Sequence, residues 1–260
     1  MSQNIDKQAV ADSFSKAAHH YDQFAQLQRD IGEQLLTSVP NKNYSMIVDL
    51  GCGTGYFSEK LAHQFPRGVL TCFDLSEAML KQVKKRNINK VTFQQGDIDQ
   101  LPFTENSIDL IYSNLVVQWS DDLAECLQQI KNSLKKGGRG YLSTLLGGTL
   151  HELTQAWKTV DKNPHTNQFL SLEKIQAILK QLSVDSVILK TETRTLHYKN
   201  VIEVMRALKG IGANHVHEHQ TQAISGRKLL KQLEVGYLPF TNKQGLLTLT
   251  YQVCYIEIIK

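Results

Sequence analysis

Three glycines at alternate positions constrain this chain more than any other feature. Gly51, Gly53 and Gly55 follow an apolar segment, Met46–Leu50, that is predicted to be a buried strand, and they precede a predicted helix, Tyr56–Gln64. Without a Cβ, the backbone here can turn sharply and approach a ligand closely. The N–H groups at the start of the helix point toward the same place. The pattern predicts a strand, a ligand-binding loop and a helix in immediate succession.

Short apolar segments alternate with helical stretches around this loop. The predicted strands are 46–50, 69–74, 91–95, 108–113 and 140–145, and the predicted helices between them are 56–64, 77–85 and 123–134. Alternation at this spacing is typical of a parallel sheet with helices on both faces. Two further helices are predicted ahead of the sheet, one over 6–20 and one ending before Pro40. The sequence therefore predicts an α/β fold.

The pattern changes after Gly148. Two helical segments are predicted within 149–182, an extended segment over 184–198, and helix again over 200–235, around a Gly-Ile-Gly kink at 210–212. Alternating apolar residues over 246–259 predict a final strand. We expect one α/β core whose second half carries helical insertions over the strand ends.

Composition excludes several classes of protein. The 260 residues are 41% hydrophobic and 21% charged, which argues against a disordered chain. No segment reaches the roughly 20 apolar residues that cross a bilayer, and the first residues lack the apolar and basic segments of a secretion signal. A net charge of +4 is a mild excess, whereas a dedicated nucleic-acid binder carries a denser basic stripe. We expect a cytoplasmic protein with no membrane and no nucleic-acid partner.

The cysteines and histidines do not form a metal-binding pattern. The four cysteines are Cys52, Cys72, Cys126 and Cys254. Their wide spacing disfavours a zinc ribbon or a disulfide framework and indicates a reducing compartment. His215, His217 and His219 alternate as ligands on a strand can, but the neighbouring Glu218 falls on the opposite parity. We expect no bound metal.

Two acidic residues follow later strands of the predicted sheet. Asp74 closes the second strand, where a carboxylate meets ribose hydroxyls in nucleotide-binding folds. Asp97 follows the third strand and is placed to accept a hydrogen bond from an adenine amine. A dinucleotide fingerprint would need glycine at position 56, where this chain has Tyr56. Asp49 also precedes the loop, and its charge suits a cationic ligand such as a methionine ammonium rather than a pyrophosphate. These features disfavour a nicotinamide oxidoreductase.

These residues resemble the class I S-adenosylmethionine-dependent methyltransferases. The first motif of that family matches Asp49-x-Gly51-x-Gly53-x-Gly55, and Asp74 and Asp97 match its ribose and adenine contacts. Thr54 departs from the pattern, since many relatives have proline there. Three further segments are similar to the malonyl-acyl-carrier-protein O-methyltransferases of biotin synthesis: Phe14-x-x-Ala17-Ala18-x-x-Tyr21-Asp22, Asn114-Leu115-Val116-Val117-Gln118-Trp119 and Leu208-Lys209-Gly210-Ile211-Gly212-Ala213-Asn214-His215.

The resemblance implies a Rossmann-like fold with a mostly parallel seven-stranded sheet, helices on both faces, N-terminal helices and a C-terminal helical lid. It implies one methyltransferase domain over 1–260. Its parts are an N-terminal helical cap (1–44), a core that binds S-adenosylmethionine (45–148), lid and acceptor-binding insertions (149–240) around the strand 184–198, and a final strand (245–259).

The resemblance also implies the reaction. The methyl group of S-adenosylmethionine passes to the free carboxylate of a malonyl thioester on acyl carrier protein or on coenzyme A. A carboxyl with a pKa near 4 is already ionised at neutral pH, so no general base is needed and no catalytic residue is assigned. Alternatives are a methyltransferase that acts on a free small carboxylic acid and a module that binds the donor without catalysis.

The expected site residues fall into two groups. Residues expected to bind S-adenosylmethionine are Tyr21, Asp49, Gly51, Cys52, Gly53, Gly55, Asp74, Leu75, Met79, Asp97, Ile98, Asn114 and Gln118. Residues expected to bind the acceptor are Trp119, Arg206 and Lys209, with Arg206 favoured for the malonyl carboxylate because its guanidinium forms bidentate hydrogen bonds. Tyr21, at a predicted helix break, is expected to lie over the donor as a lid.

Basic residues gather near 131–139 and 206–231. Acyl carrier proteins are acidic, so either group is a candidate to attract one. The alternative for both groups is an ordinary solvated helix face.

Overall fold

The computed structural model describes residues 5–212 and 226–260, and within these ranges seven strands form one sheet. The strands are β1 (Met46–Leu50), β2 (Val69–Asp74), β3 (Val91–Gln95), β4 (Ile108–Asn114), β5 (Leu134–Leu145), β6 (Ser186–Tyr198) and β7 (Leu247–Ile259). Their order across the sheet is β3-β2-β1-β4-β5-β7-β6. Neighbours among β1 to β5 are parallel, and β7 is antiparallel to both β5 and β6. This confirms the expected α/β, mostly parallel, seven-stranded sheet.

Helices surround this sheet. They are α1 (Lys7–Ala17), α2 (Tyr21–Phe24), α3 (Gln26–Thr37), α4 (Tyr56–Gln64), α5 (Glu77–Lys84), α6 (Leu123–Ser133), α7 (His151–Trp157), α8 (Leu172–Gln181), α9 (Val201–Gly210) and α10 (Gly226–Tyr237). Single 3₁₀ turns span Val117–Trp119 and Leu238–Phe240. Five of these helices begin after a residue whose side-chain oxygen accepts a backbone N–H hydrogen bond from the first turn. These capping residues are Asp6 for α1, Ser76 for α5, Asp122 for α6, Ser171 for α8 and Asn200 for α9.

Apolar side chains fill a core on each face of the sheet. Successive strand residues point to opposite faces, so Leu110 packs in one core and Ile111 in the other. The first core holds side chains of α3, α4, α7 and α9, and the second holds side chains of α6 and α8. The helices therefore cover both faces, as the alternating pattern predicts.

The fifth strand begins earlier than the sequence pattern predicts. The run Lys135-Lys136-Gly137 is typical of a solvated helix end, and the strand is predicted only from residue 140. In the structure α6 ends at Ser133, and Leu134, which is fully buried, already pairs with β4. Lys135 donates to both carboxylate oxygens of Asp109, which neutralises its charge at the strand edge. A register shift in β4 between Ile108 and Leu110 accommodates this early start.

The second half of the chain contacts the N-terminal helices through the end of α9. A Cβ added to Gly210 would run into the ring of Phe24, and one added to Gly212 would meet Phe14 at 3.1 Å. The rest of the Leu208–His215 motif, residues 213–215, and His217 and His219 lie outside the described residues. Across 5–212 and 226–260, no helix combines the length and apolarity needed to cross a membrane.

Candidate donor-binding site

A cleft lies at the carboxyl ends of the parallel strands, where β1 has β2 on one side and β4 on the other. The strand order reverses between β1 and β4, which is the topological switch point of the sheet. Open α/β sheets bind their ligands at such a point. Helices α1 and α2 cover the cleft. Its lining residues are Lys7, Val10, Phe14, Tyr21, Gly51, Gly53, Phe73, Asp74, Leu75, Met79, Asp97, Ile98, Asn114, Leu115, Val116 and Trp119.

Two glycines of the loop have different structural reasons to lack a side chain. Gly51 (φ +74°) and Gly53 (φ +53°) both adopt left-handed backbone conformations. A Cβ at Gly51 would collide with the side chain of Val116. At Gly53 no atom lies within 4 Å of the Cβ position, so a side chain there would occupy open space in the cleft. Gly51 is thus required by packing, whereas Gly53 leaves room for a ligand.

Asp74 is hydrogen-bonded to the backbone on both sides. Its Oδ2 accepts from the N–H of Gly53 and its Oδ1 from the N–H of Ser76, each at 2.8 Å. Burial raises the pKa of Asp74 to about 6, and these two hydrogen bonds oppose the rise. The carboxylate is therefore fixed in orientation at the cleft wall, with lone pairs left to accept further hydrogen bonds.

Asp49 lies beneath the loop rather than on the cleft surface. Its side chain is buried, and Oδ2 accepts a hydrogen bond from the Ser58 hydroxyl at 2.6 Å. Burial raises the pKa of Asp49 to about 7; the Ser58 hydrogen bond lowers it, and the charge of Asp74 raises it further. Asp49 is therefore only partly ionised at neutral pH in the empty cleft, and a cation bound above the loop would favour its charged form.

Apolar side chains form the walls of the cleft beyond Asp74. Phe73, Met79 and Ile98 are buried on the sheet side. Phe14 of α1 faces them, and its ring meets Trp119 edge to face with centroids 5.5 Å apart. An apolar slot whose lining includes two carboxylates, Asp74 and Asp97, has the chemistry to hold a planar heterocycle with an attached sugar.

Helix α2 is fastened to the glycine loop. The Thr54 hydroxyl donates to Oδ1 of Asp22 at 2.7 Å, and Arg86 donates to Oδ2 of Asp22 at 2.8 Å. Thr54, which departs from the motif of the family, thus holds α2 through its hydroxyl. The anchor places Tyr21 in the cleft lining, and burial together with the charges of Asp74 and Asp22 raises the pKa of its hydroxyl. Tyr21 therefore stays protonated at neutral pH and can donate a hydrogen bond.

The structure brings ten of the expected site residues into the cleft lining. They are Tyr21, Gly51, Gly53, Asp74, Leu75, Met79, Asp97, Ile98, Asn114 and Trp119. Asp49, Cys52 and Gly55 lie outside this lining. The Asn114 side chain is already hydrogen-bonded, since its amide donates to the Gln28 carbonyl and its oxygen accepts from Ser143.

Three further expected residues, Gln118, Arg206 and Lys209, also lie outside the cleft lining. Gln118 lines a neighbouring cavity and donates to the Leu115 carbonyl at 2.7 Å. Arg206 and Lys209 are exposed on α9 and make no hydrogen bond or ion pair with any described residue. Trp119, expected to bind the acceptor, lines the cleft, and its ring packs edge to face against Phe14.

Sequence reasoning missed the contribution of α1 to the cleft. Lys7, Val10 and Phe14 all line it, and they recur at the spacing of one helix face. Val10 and Phe14 alone are typical of a helix face that packs in the core. The charged residue Lys7 on the same face is what distinguishes this face from an ordinary core-facing one.

Comparison with known proteins assigns this fold and site to a class. Residues 48–142 match the family model described as "Methyltransferase domain". A solved structure of Haemonchus contortus phosphoethanolamine N-methyltransferase 2 in complex with S-adenosyl-L-methionine superposes with a TM-score of 0.57 at 17% identity, over 95% of this chain and 57% of that chain. At that identity the likeness shows the fold alone. The protein has the class I methyltransferase fold.

Closer relatives narrow the class. The malonyl-[acyl-carrier protein] O-methyltransferase of Serratia marcescens is 39% identical over 96% of this chain and 95% of its own length. The biotin biosynthesis bifunctional protein BioHC of Teredinibacter turnerae is 36% identical over 98% of this chain but only 47% of its own length. The chain thus spans about half the length of the bifunctional relatives it matches. It belongs to the malonyl-[acyl-carrier protein] O-methyltransferase family.

Proposed function

We propose that this protein transfers the methyl group of S-adenosylmethionine to the free carboxylate of a malonyl thioester on acyl carrier protein. The product is the malonyl methyl ester that begins pimeloyl synthesis for biotin. The observation that carries the proposal is the combination of the donor cleft with near-full-length similarity to relatives that bear this name.

The cleft residues fit S-adenosylmethionine. This donor supplies a methyl group made electrophilic by its positive sulfonium. Asp74 would accept hydrogen bonds from the ribose hydroxyls, and Asp97 from the adenine amine. Met79 and Ile98 would hold the base, and the open space above Gly53 would admit the methionine part. The buried charge of Asp49 complements the positive charge of the donor.

Catalysis in this proposal rests on alignment and exclusion of water. The acceptor carboxylate is ionised at neutral pH, so no side chain needs to remove a proton. The raised pKa of Tyr21 also makes it a hydrogen-bond donor rather than a base. Holding two reactants in line can supply about 7–11 kcal/mol of the barrier. Phe14 and Tyr21, which cover the cleft from α1 and α2, would keep water away from the reacting groups.

Cations on α9 are the proposed acceptor-binding groups. Arg206 and Lys209 have no anionic partner among the described residues, and the end of their helix packs against Phe24. In the basic group near 131–139, Lys135 pairs with Asp109 and Arg139 pairs with Glu257. These pairs lie at the amino ends of the parallel strands, which is the edge of the sheet opposite the cleft. The proposal therefore assigns Arg206 to the malonyl carboxylate and the α9 surface to the acidic carrier protein.

The proposal places the reaction in the cytoplasm. All four cysteines are unpaired and buried, which suits a reducing compartment. The expected absence of metal, nucleic-acid and membrane partners stays a prediction.

The experiment that tests the function compares three acceptors. Purified protein is incubated with methyl-labelled S-adenosylmethionine and with malonyl-acyl carrier protein, malonyl-coenzyme A or free malonate. The proposal expects the label on the thioesters and the highest kcat/KM with the carrier. Efficient labelling of free malonate alone would replace it with a methyltransferase for free carboxylic acids.

A further inference from the structure

The ammonium of Lys7 connects helix α1 to the floor of the cleft. Its Nζ donates to Oδ1 of Asp97 at 3.0 Å, to Oδ2 of Asp99 at 2.6 Å and to the Trp119 carbonyl at 2.7 Å. These three hydrogen bonds use all three N–H donors of the ammonium. The side chains of Lys7, Asp97 and Asp99 are only 19%, 27% and 21% exposed. Lys7 is therefore held in one place rather than solvated at the surface.

Asp99 fixes the position of that ammonium. The N–H of Asp121 donates to Oδ2 of Asp99 at 2.9 Å, and the Ser120 hydroxyl donates to Oδ1. Burial alone would raise the pKa of Asp99, but these hydrogen bonds and the one from Lys7 lower it overall. The Asp99 carboxylate therefore remains an anion that accepts three hydrogen bonds, and its role is structural.

Asp97 is left with one free oxygen. Its Oδ1 accepts both from Lys7 and from the N–H of Asp99, each at 3.0 Å. Its Oδ2 accepts no hydrogen bond from any residue in the described part of the chain, and Asp97 lines the cleft. Lys7 thus anchors one oxygen, which leaves the other to face a ligand, and it also cancels repulsion between the carboxylates of Asp97 and Asp99.

We infer that Lys7 is a positioning residue that sets the preference of the cleft for a base with an exocyclic amine. Oδ2 of Asp97, held in place, accepts a hydrogen bond from an amine but repels a carbonyl oxygen at the same position. A site built around one hydrogen bond rejects analogues that lack it far more strongly than an apolar pocket does. Without the hydrogen bond from Lys7, the carboxylate of Asp97 can rotate, and the discrimination is lost. The inference rests on the proposed function, because it takes adenine as the base.

The test measures binding by calorimetry, without turnover. The probes are S-adenosylhomocysteine and S-inosylhomocysteine, which differ in the amine and the carbonyl at one ring position. The wild type is expected to prefer the adenosyl compound by at least about 30-fold, and Lys7→Met by less than about fivefold. The double variant Lys7→Met/Asp97→Asn is expected to show the same ratio as Asp97→Asn alone, because Lys7 acts through Asp97.

Ser15→Ala is the matched control. The Ser15 hydroxyl lies 2.8 Å from that of Ser76, the residue that caps α5, so Ser15 also fastens α1 beside the cleft but makes no hydrogen bond with Asp97. This variant should weaken both probes equally and keep the wild-type ratio. Lys7→Arg, which retains the charge and so the fold, should lower the ratio at least about threefold, because a planar guanidinium cannot reproduce the three contacts of an ammonium.

Three results would overturn the inference. If Lys7→Met weakens both probes by one factor and keeps the wild-type ratio, Lys7 only fastens α1, as Ser15 does. The same conclusion follows if Lys7→Arg retains the full ratio. If the wild-type protein binds neither probe, the proposed function itself fails, and the inference fails with it.

Discussion

The backbone N–H of Gly53 donates a 2.8 Å hydrogen bond to Oδ2 of Asp74. One bond thus joins the glycine loop after β1 to the acidic residue that ends β2, two motifs that are separate in the sequence. Because Ser76 donates to the other oxygen, the loop and the following helix together set the orientation of the carboxylate. A preorganised carboxylate pays little ordering cost when a ligand binds.

Replacing Asp74 with alanine should weaken donor binding. The variant loses hydrogen bonds from a charged group, worth about 1.5–3 kcal/mol, which is roughly a 10–150-fold increase in Kd. Calorimetry with S-adenosylhomocysteine measures the effect. Asp185→Asn is the control, because Asp185 is exposed, remote from the cleft and without a side-chain hydrogen bond among the described residues. An unchanged Kd in Asp74→Ala would remove Asp74 from the donor site.

The buried charge of Asp49 predicts a pH-dependent stability. Its pKa in the folded protein is raised to about 7, above its ordinary value, so folding favours the protonated form. The group therefore imposes no penalty below the unfolded pKa, near 4, and an increasing one as pH rises through about 7. Without donor, the unfolding free energy of Asp49→Asn minus that of wild type should be larger at pH 8 than at pH 5. Urea denaturation at the two pH values measures this difference. The same difference in unfolding free energy at both pH values would contradict this account.

Alanine at the two loop glycines should separate packing from binding. Gly51→Ala should lose stability, because its methyl group meets Val116, and it should lower the melting temperature. Gly53→Ala should cost only about 1–2 kcal/mol of backbone strain, yet abolish measurable donor binding, because its methyl group enters the cleft. Thermal denaturation and calorimetry on both variants check this contrast. Normal donor affinity in Gly53→Ala would mean that the ligand does not approach this part of the loop.

The local pattern was sufficient to predict much of the fold. The strands Met46–Leu50 and Val69–Asp74 and the helix Tyr56–Gln64 have the predicted bounds, because apolar periodicity and glycine act over neighbouring residues. The pattern extends the helix to Leu134, whereas the structure pairs Leu134 with β4. That pairing and the Lys135–Asp109 contact join distant parts of the chain, which sequence spacing does not reveal. The family membership, methyltransferase fold and donor type expected from the motifs are confirmed by the comparisons.

The site was predicted less completely than the fold. Residues next to a motif, such as Gly53 and Asp74, were found because strand order brings the strand ends together. Lys7 was missed because its partners Asp97 and Asp99 are distant in the chain, and only the docking of α1 brings them together. The binding roles of the expected site residues, including Arg206 and Lys209, stay predictions.

Arg206 is predicted to bind the malonyl carboxylate. Arg206→Ala should lower kcat/KM about 10²–10⁴-fold, and by the same factor with malonyl-coenzyme A and with malonyl-carrier protein. This range is expected because removing one partner of a desolvated charge pair costs about 3–5 kcal/mol. Donor Kd should stay within about twofold of wild type. Lys136→Ala is the control, an exposed cation at the opposite sheet edge. A loss confined to the carrier substrate would show that Arg206 docks the carrier protein instead, and near-wild-type kinetics with both would make it an ordinary surface charge.

The chemical position of the transferred methyl group tests the central claim most directly. The claim is that the cleft aligns an already ionised carboxylate with the donor and uses no general base. Malonyl-acyl carrier protein that has reacted with ¹³C-methyl-labelled S-adenosylmethionine is examined by NMR. The account predicts a methoxy signal that mild alkaline hydrolysis releases as methanol. A methyl signal on the malonyl carbon, stable to alkali, would require removal of a carbon-bound proton by a base and would contradict the account.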